Sequence, residues 1–298
     1  MEEKATMRLG RHTKGPVGIP LRVLFFLILP VVLAAGLLSS GCTSLVNRMA
    51  FFPDTTHVLG TNQLPALVRE VWVPTEDKQQ LQCYLVRVED SRNLLIYFPG
   101  NAGNVCQRVP ELLRFAQARV SVLGVGYRGY GRSSGKPSEK GLYADGRAAL
   151  KVASGTLGYK PDHIFICGRS LGSTVAISSA QSQSFAGLIL VTPISTGNEY
   201  ARAHGLGVLS LLSGNAFDNL SKCAAIQCPV LILHGTDDEV APYEMGKKIA
   251  ERMSRPTQFV TIQGGHHNTL ELQDPATFWG AIEHFITTEG AMQTTGRE

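Results

Sequence analysis

From residue 93 onward, short apolar runs alternate with segments long enough to form helices, and this alternation limits the fold more than any other feature. Short continuous apolar runs are typical of strands buried on both faces of a parallel sheet. Strands that alternate with amphipathic segments indicate βαβ units. The predicted strands here are 93–98, 119–127, 163–167, 187–191, 229–235 and 258–264, and the predicted helices are 104–118, 138–156, 171–182, 243–254 and 275–288.

Two earlier runs, 68–74 and 81–88, alternate apolar with polar residues and are joined by a short polar link, which predicts an antiparallel edge. The sequence therefore predicts one three-layer α/β domain over 67–288, with a mostly parallel sheet and helices on both faces. The insertion 193–228 is longer than one crossover helix requires. It is consistent with a small cap over the carboxyl edge of the sheet or with an ordinary crossover and a loop. Residues 289–298 are predicted to be a flexible tail.

The N-terminal segment differs in composition from the rest of the chain. Basic residues precede an uncharged apolar run at 23–38, and the small residues "SSG" precede Cys42. This order is typical of an export signal, and its end resembles a bacterial lipoprotein signal in which the cysteine is acylated. We therefore predict a signal peptide over 1–41, a tether over 42–66, and a membrane-anchored protein of the cell envelope. The alternatives are a single transmembrane anchor, for which the run is slightly short, and a buried helix.

Charge and cysteine content exclude two classes of function. The formal charge is +4, but residues 1–41 carry five basic and two acidic side chains, which leaves 23 basic and 22 acidic residues in the body. No basic run remains that would follow a phosphate backbone, so nucleic-acid binding is not expected. There is no C-x-x-C pair and no zinc-ligand spacing, so no metal site is expected. Cys223 and Cys228 could form a disulfide in an oxidising compartment or remain separate buried thiols.

The stretch "GRSLGS" begins at Gly168, where an apolar strand ends and a helix-like segment starts. A serine between two glycines in this context is typical of a nucleophile elbow, in which Ser170 occupies a sharp turn. The alternative is a flexible glycine-serine loop. Because a serine hydroxyl is a weak nucleophile at neutral pH, it requires a base that takes its proton.

Candidate partners for Ser170 follow two later strands. Asp237 and Asp238 follow 229–235, and two histidines, His266 and His267, follow the last predicted strand. Alone, the aspartates would be read as a helix N-cap and the histidines as part of a solvated loop. Together with the elbow they match the chain order serine, acid, histidine of a catalytic triad.

Catalysis by this triad also needs hydrogen-bond donors for a developing oxyanion. One predicted donor is the backbone N–H of Leu171, and the other is the N–H of Asn101 or Ala102 in the glycine-containing loop after 93–98. That loop lacks the Lys-Ser/Thr ending of a phosphate-binding P-loop and is not a G-x-G-x-x-G fingerprint. No cofactor is therefore expected.

These motifs resemble the α/β-hydrolase superfamily and, more narrowly, small serine hydrolases with a His-Gly-Asn-Ala-Gly-Asn oxyanion loop. They are "FPGNAGN", "GYRGYGRSSGKPSEKGLYAD", "GRSLGS", "HGTDDEVAP" and "GGHHN". The resemblance implies that Asp238 is the acid and His267 the base. Pro99 stands where the family usually has histidine, which alters how the loop is braced, and His266 stands where it usually has glycine.

The implied activity is hydrolysis of a small-molecule or lipid carboxylic ester. Thioester and peptide substrates use the same chemistry and remain alternatives. A non-catalytic envelope lipoprotein that keeps the fold is the alternative from another class.

Overall fold

The sheet predicted from the alternating runs is present in the computed structural model, which describes residues 50–56, 63–206 and 215–295. Its strands are β1 Phe52–Pro53, β2 Val68–Pro74, β3 Gln80–Val86, β4 Leu94–Phe98, β5 Ala102–Gly103, β6 Ser121–Gly124, β7 Ile164–Arg169, β8 Gly187–Val191, β9 Val230–Gly235 and β10 Thr257–Ile262. In the described residues, eight of these strands pair in the order β10-β9-β8-β7-β4-β6-β3-β2, and β1 and β5 form a separate two-stranded sheet.

The pairing confirms both the parallel body and the antiparallel edge. Strands β4 and β6 to β10 pair in parallel. Strand β3 pairs antiparallel with β2 and with β6. Parallel neighbours require long crossovers, and the helix-length segments of the sequence supply them.

Helices cover both faces of this sheet, as the sequence predicts. They are α1 Val109–Ala116, α2 Glu139–Lys151, α3 Leu171–Ala180, α4 Gly197–Ala203, α5 Leu220–Cys223, α6 Tyr243–Arg252, α7 Leu270–Gln273 and α8 Pro275–Thr295. Alternate residues of β4 point to opposite faces of the sheet. Ile96 lies in one buried cluster with residues of α2, α3 and α6, whereas Leu95 lies in a second cluster with residues of α1 and α8.

Two segments outside the predicted domain 67–288 contain regular structure. Helix α8 continues to Thr295, past residue 289, where a flexible tail was predicted. Glu289 is buried there, and Gly290 approaches the side chain of Asn93 closely. In the predicted tether, Phe51 is buried in the core, and the strand that follows it pairs with β5. The regular structure therefore extends beyond the predicted domain toward both ends of the chain, where Phe51 and Glu289 are buried.

Several predictions concern segments outside the described residues. The signal peptide over 1–41 and Cys42 lie there, as does 207–214, so the anchor and the cap over 193–228 remain predictions. Within the described part of the chain, no helix is both long and apolar enough to cross a bilayer. Cys223 and Cys228 are buried free thiols, in agreement with the second of the two interpretations.

Candidate active site

Ser170 occupies the sharp turn between β7 and α3 that the glycine pattern predicts. Its backbone has φ 52° and ψ −118°, a conformation that L-residues rarely adopt. The flanking glycines are required by space. A Cβ on Gly172 would lie 2.0 Å from the carbonyl oxygen of Phe98, and a Cβ on Gly168 would lie 2.4 Å from the carbonyl oxygen of Gly172. The Ser170 N–H donates to the carbonyl of Val191 on β8 at 2.9 Å, which ties the turn to the sheet.

His267 follows β10 and lies with its imidazole between Ser170 and Asp238. Its Nε2 is 2.9 Å from the Ser170 Oγ, and its Nδ1 is 2.8 Å from the Asp238 Oδ2. The histidine and the aspartate are both buried. The structure therefore brings the three predicted triad residues into one continuous hydrogen-bonded chain.

Asp238 lies between β9 and α6, where its carboxylate accepts several hydrogen bonds. Its Oδ1 accepts from the backbone N–H of Val240 at 2.9 Å and of Ala241 at 2.7 Å. Burial by itself raises the pKa of Asp238, but hydrogen bonds from His234 and His267 outweigh burial and lower the pKa below its usual value. The carboxylate is thus held in its charged form, as stabilisation of a protonated imidazole requires.

His234 is a member of this site that the sequence analysis did not identify. Its Nε2–H donates to the Ala241 carbonyl at 2.7 Å and lies 3.3 Å from the Asp238 Oδ2. The ring is fully buried against Gly246, where a Cβ would come within 2.3 Å of its Nδ1. A histidine inside an otherwise apolar strand, next to Gly235, is the signal that could have marked it.

The two neighbouring candidates point away from the triad. Asp237 is exposed, and its Oδ1 accepts from the hydroxyl of Thr236 at 2.9 Å. His266 lies on the surface, with its Nδ1 3.1 Å from the Glu239 carboxylate. Of each adjacent pair, only one residue therefore reaches Ser170 or its partner.

The loop that follows β4 passes directly beside Ser170. A Cβ on Gly100 would lie 3.7 Å from the Ser170 Cβ. Asn101, the next residue, carries one predicted oxyanion N–H, and Leu171 carries the other at the start of α3. The first N–H groups of a helix have no partner within the helix, so they can be offered to an anion.

Two tyrosines brace this loop, and the sequence analysis did not anticipate them. The hydroxyl of Tyr127 donates to the Pro99 carbonyl at 2.8 Å, and the hydroxyl of Tyr130 donates to the Asn101 Oδ1 at 3.0 Å. Proline cannot supply the side-chain hydrogen bonds of the histidine that the family usually has at this position. The loop is instead held by hydrogen bonds from the two tyrosine hydroxyls to the Pro99 backbone carbonyl and to the Asn101 side chain.

Arg169, directly before the serine, links the elbow to the histidine loop. Its Nη2 donates to the backbone carbonyl of His267 at 3.1 Å. Its guanidinium also forms ion pairs with Glu271 at 3.0 Å and with Glu111 at 3.4 Å. Burial lowers the pKa of Arg169, but the negative charges of Glu111 and Glu271 raise the pKa by more than burial lowers it. The pKa therefore lies above its ordinary value, and the side chain stays charged. Arg169 is a further residue of the site that the sequence patterns do not identify.

Among the residues that the structure describes, no group of three histidine, cysteine or acidic side chains is placed to hold a metal ion.

Comparisons with known proteins agree with this architecture. The family model Abhydrolase_4, described as TAP-like protein, matches residues 214–297. An uncharacterized protein of Mycobacterium tuberculosis is 31% identical over 267 residues, which is 87% of this chain and 95% of that protein. Alpha/beta hydrolase domain-containing protein 17B of Xenopus laevis is 30% identical over 268 residues, which is 82% of this chain and 91% of that protein.

Among solved structures, an esterase of Pyrococcus furiosus superposes with a TM-score of 0.68 at 18% identity. The match covers 80% of this chain and 97% of the esterase. At this identity the likeness shows the fold alone.

Proposed function

The chain belongs to the α/β-hydrolase superfamily, and on that premise we propose that it is a serine hydrolase that cleaves carboxylic esters through an acyl-enzyme intermediate. One observation carries the proposal. The Ser170 hydroxyl is 2.9 Å from the His267 Nε2, and the His267 Nδ1 is 2.8 Å from a charged, buried Asp238. A nucleophile, a base and a group that orients the base are thus in hydrogen-bond contact.

In the proposed acylation, the Ser170 Oγ attacks the ester carbonyl carbon while its proton moves to the His267 Nε2. Asp238 holds the imidazole in the tautomer with Nδ1 protonated and stabilises the imidazolium that forms. The N–H groups of Asn101 and Leu171 stabilise the negative oxygen of the tetrahedral intermediate. The imidazolium then gives its proton to the departing alcohol, which leaves an acyl group on the serine.

In the proposed deacylation, His267 takes a proton from water, and the hydroxide attacks the acyl carbon. The second tetrahedral intermediate collapses, the carboxylic acid departs, and Ser170 recovers its proton from the imidazolium. The proton transfers within the triad use groups that are already in hydrogen-bond contact.

Labelling with a fluorophosphonate tests the proposal, because the reagent reacts with an activated serine. We expect the unaltered chain to be labelled and Ser170→Ala to be unlabelled. A panel of esters, thioesters and peptides of matched acyl group then identifies the substrate class. Complete lack of labelling and of turnover in a folded protein would support the non-catalytic lipoprotein instead.

We also propose that the protein is anchored to the envelope membrane through an acylated Cys42. The support is the order of basic residues, apolar run and small residues before this cysteine. More than one acyl chain is expected, since a single chain gives only marginal membrane binding. Cys42→Ser should leave the protein at precursor mass. An intact-mass measurement that finds an unmodified Met1 terminus in the membrane fraction would favour the transmembrane anchor.

The proposed acyl site is a shallow cleft that accepts short and medium chains. The insertion 193–228 also contains α4 and α5, so little chain remains to build the walls of a deep tunnel. Each acyl methylene contributes about 0.8 kcal/mol of binding only where it is buried. We therefore expect kcat/KM to level off or fall for long acyl chains in a soluble form that begins after Cys42. A steady rise out to long chains would contradict the shallow cleft.

A further inference from the structure

The first residues of the described chain lie against the loop that carries the predicted oxyanion donor. Strand β1 pairs in parallel with β5, with Phe52 opposite Ala102 and Pro53 opposite Gly103. The N–H of Asp54 continues this pairing by donating to the Gly103 carbonyl at 3.2 Å. We call residues 51–54 the brace segment.

The brace segment also binds the side chain of Asn101. The backbone N–H of Phe52 donates to the Asn101 Oδ1 at 3.2 Å, and the Tyr130 hydroxyl donates to the same oxygen at 3.0 Å. The carboxamide is therefore held from two directions. Because the proposed oxyanion donor is the backbone N–H of the same residue, these bonds restrict the rotation that would turn the N–H away from Ser170.

The brace segment is itself firmly attached to the domain. Phe51 is buried, and its ring packs edge-on against Phe217 with 6.1 Å between the ring centroids. The carbonyl of Asp54 accepts from the backbone N–H of Gly131 at 2.9 Å and from the Asn104 side chain at 3.1 Å. A segment with a buried anchor at one end and several hydrogen bonds at the other can hold a neighbouring loop in one conformation.

We infer that the brace segment is a positioning element for the oxyanion loop, so that turnover depends on residues that precede the α/β domain. This inference rests on the proposed function. Oxyanion donors accelerate a reaction only when they are already aimed at the developing charge. Loops hold such geometry less precisely than helices and strands, so they need supporting contacts. Here the first support is main-chain pairing by β1, and the second is the Tyr130 hydroxyl.

A proline at position 52 removes the backbone N–H that supports Asn101, and it also fixes φ at this position and restricts the preceding residue. Phe52→Pro deletes the backbone N–H that donates to the Asn101 Oδ1, whereas Phe52→Ala keeps that N–H. The Phe52 side chain is 60% exposed, so both variants lose a similar and small amount of buried surface. The pair therefore compares the chain with and without the Phe52 N–H, and the side-chain variant Tyr130→Phe separates the loss of support for Asn101 from the added backbone restriction.

We expect Phe52→Pro to lower kcat by about tenfold, less than the 100-fold to 1000-fold loss typical when an oxyanion donor is removed outright. KM should change less than about twofold, because the ground-state carbonyl makes weak use of the donors. A trifluoromethyl ketone forms a tetrahedral adduct with the serine, so its affinity should fall by the same factor as kcat. Phe52→Ala should retain kcat and ketone affinity. A loss caused only by general destabilisation would not track the affinity for this adduct.

Tyr130→Phe is the second variant, and it changes no backbone group. It removes the other hydrogen bond to the Asn101 Oδ1, so we expect a smaller fall in kcat and in ketone affinity, with KM nearly unchanged. If Phe52→Pro does not fold, this variant decides the question. Equal kcat in Phe52→Pro and Phe52→Ala, or unaltered ketone affinity in Tyr130→Phe, overturns the inference. Failure of the proposed function has a different signature, since the unaltered chain would then show no hydrolysis that depends on Ser170.

Discussion

Replacing Asp238 by asparagine changes the proton arrangement of the site with almost no change in shape. The Asp238 Oδ1 accepts from the N–H groups of Val240 and Ala241, at 2.9 and 2.7 Å. In Asp238→Asn, the carboxamide oxygen keeps these two bonds at the Oδ1 position, so its NH₂ group replaces Oδ2, which is 2.8 Å from the His267 Nδ1 and 3.3 Å from the His234 Nε2. An NH₂ group can only donate, so Nδ1 becomes an acceptor and the imidazole proton moves to Nε2. The nitrogen that faces Ser170 can then no longer accept a proton.

The expected cost follows from this change of tautomer. Loss of the correct tautomer in a serine triad lowers kcat by about 10⁴-fold. At 1.36 kcal/mol for each factor of ten, that is about 5.4 kcal/mol of transition-state stabilisation. Asp237→Asn is the matched control, because Asp237 is exposed and contacts the Thr236 hydroxyl instead of the histidine. We expect the control to retain most of its activity.

The assay is steady-state hydrolysis of a short-chain ester, with thermal unfolding to verify that both variants are folded. Crystal structures of the two variants would show whether the backbone bonds of residue 238 persist. Equal losses of kcat in Asp238→Asn and Asp237→Asn would refute the assignment of the acid. A loss of less than tenfold in Asp238→Asn would refute the tautomer argument.

Three other expectations follow from the same contacts. His267→Ala should abolish hydrolysis of the same ester. His266→Ala should leave most of the activity, because the His266 side chain points to the surface. Equal losses in the two variants would show that the assignment of the base is wrong. Arg169→Met should destabilise the fold by about 2 kcal/mol in chemical denaturation, because the half-buried carboxylates of Glu111 and Glu271 lose their ion-pair partner. Adding Glu111→Gln and Glu271→Gln should restore much of the stability, and no restoration would contradict this explanation. Asp238 has a lowered pKa in the folded state, so its contribution to stability is present above its ordinary pKa of about 3.8 and is lost as pH falls through the lower folded value. Acid titration of the free energy of unfolding should therefore show a smaller loss below about pH 4 in Asp238→Asn than in the unaltered chain.

The sequence predicts the sheet and the triad because both depend on local order along the chain. A glycine pattern after an apolar strand specifies a sharp turn, since larger residues would collide with backbone atoms, as the 2.0 Å approach at Gly172 shows. The acid and the base follow later strands of one parallel sheet, and the carboxyl ends of such strands lie at one edge. Chain order and strand ends thus predict that Ser170 meets one residue of each adjacent pair, whereas the choice of Asp238 and His267 within the pairs came from the family resemblance.

Tertiary structure alone decides which groups hold that site in place. The contact of Arg169 with His267 joins residues 98 positions apart, and the bond from Phe52 to Asn101 joins residues 49 positions apart. Neither has a spacing pattern, because a backbone carbonyl or N–H is present at nearly every residue and leaves no trace in the sequence. Side-chain motifs therefore reveal the atoms proposed to react, whereas the bonds that fix their positions are made largely with backbone groups and become visible only when the chain is folded.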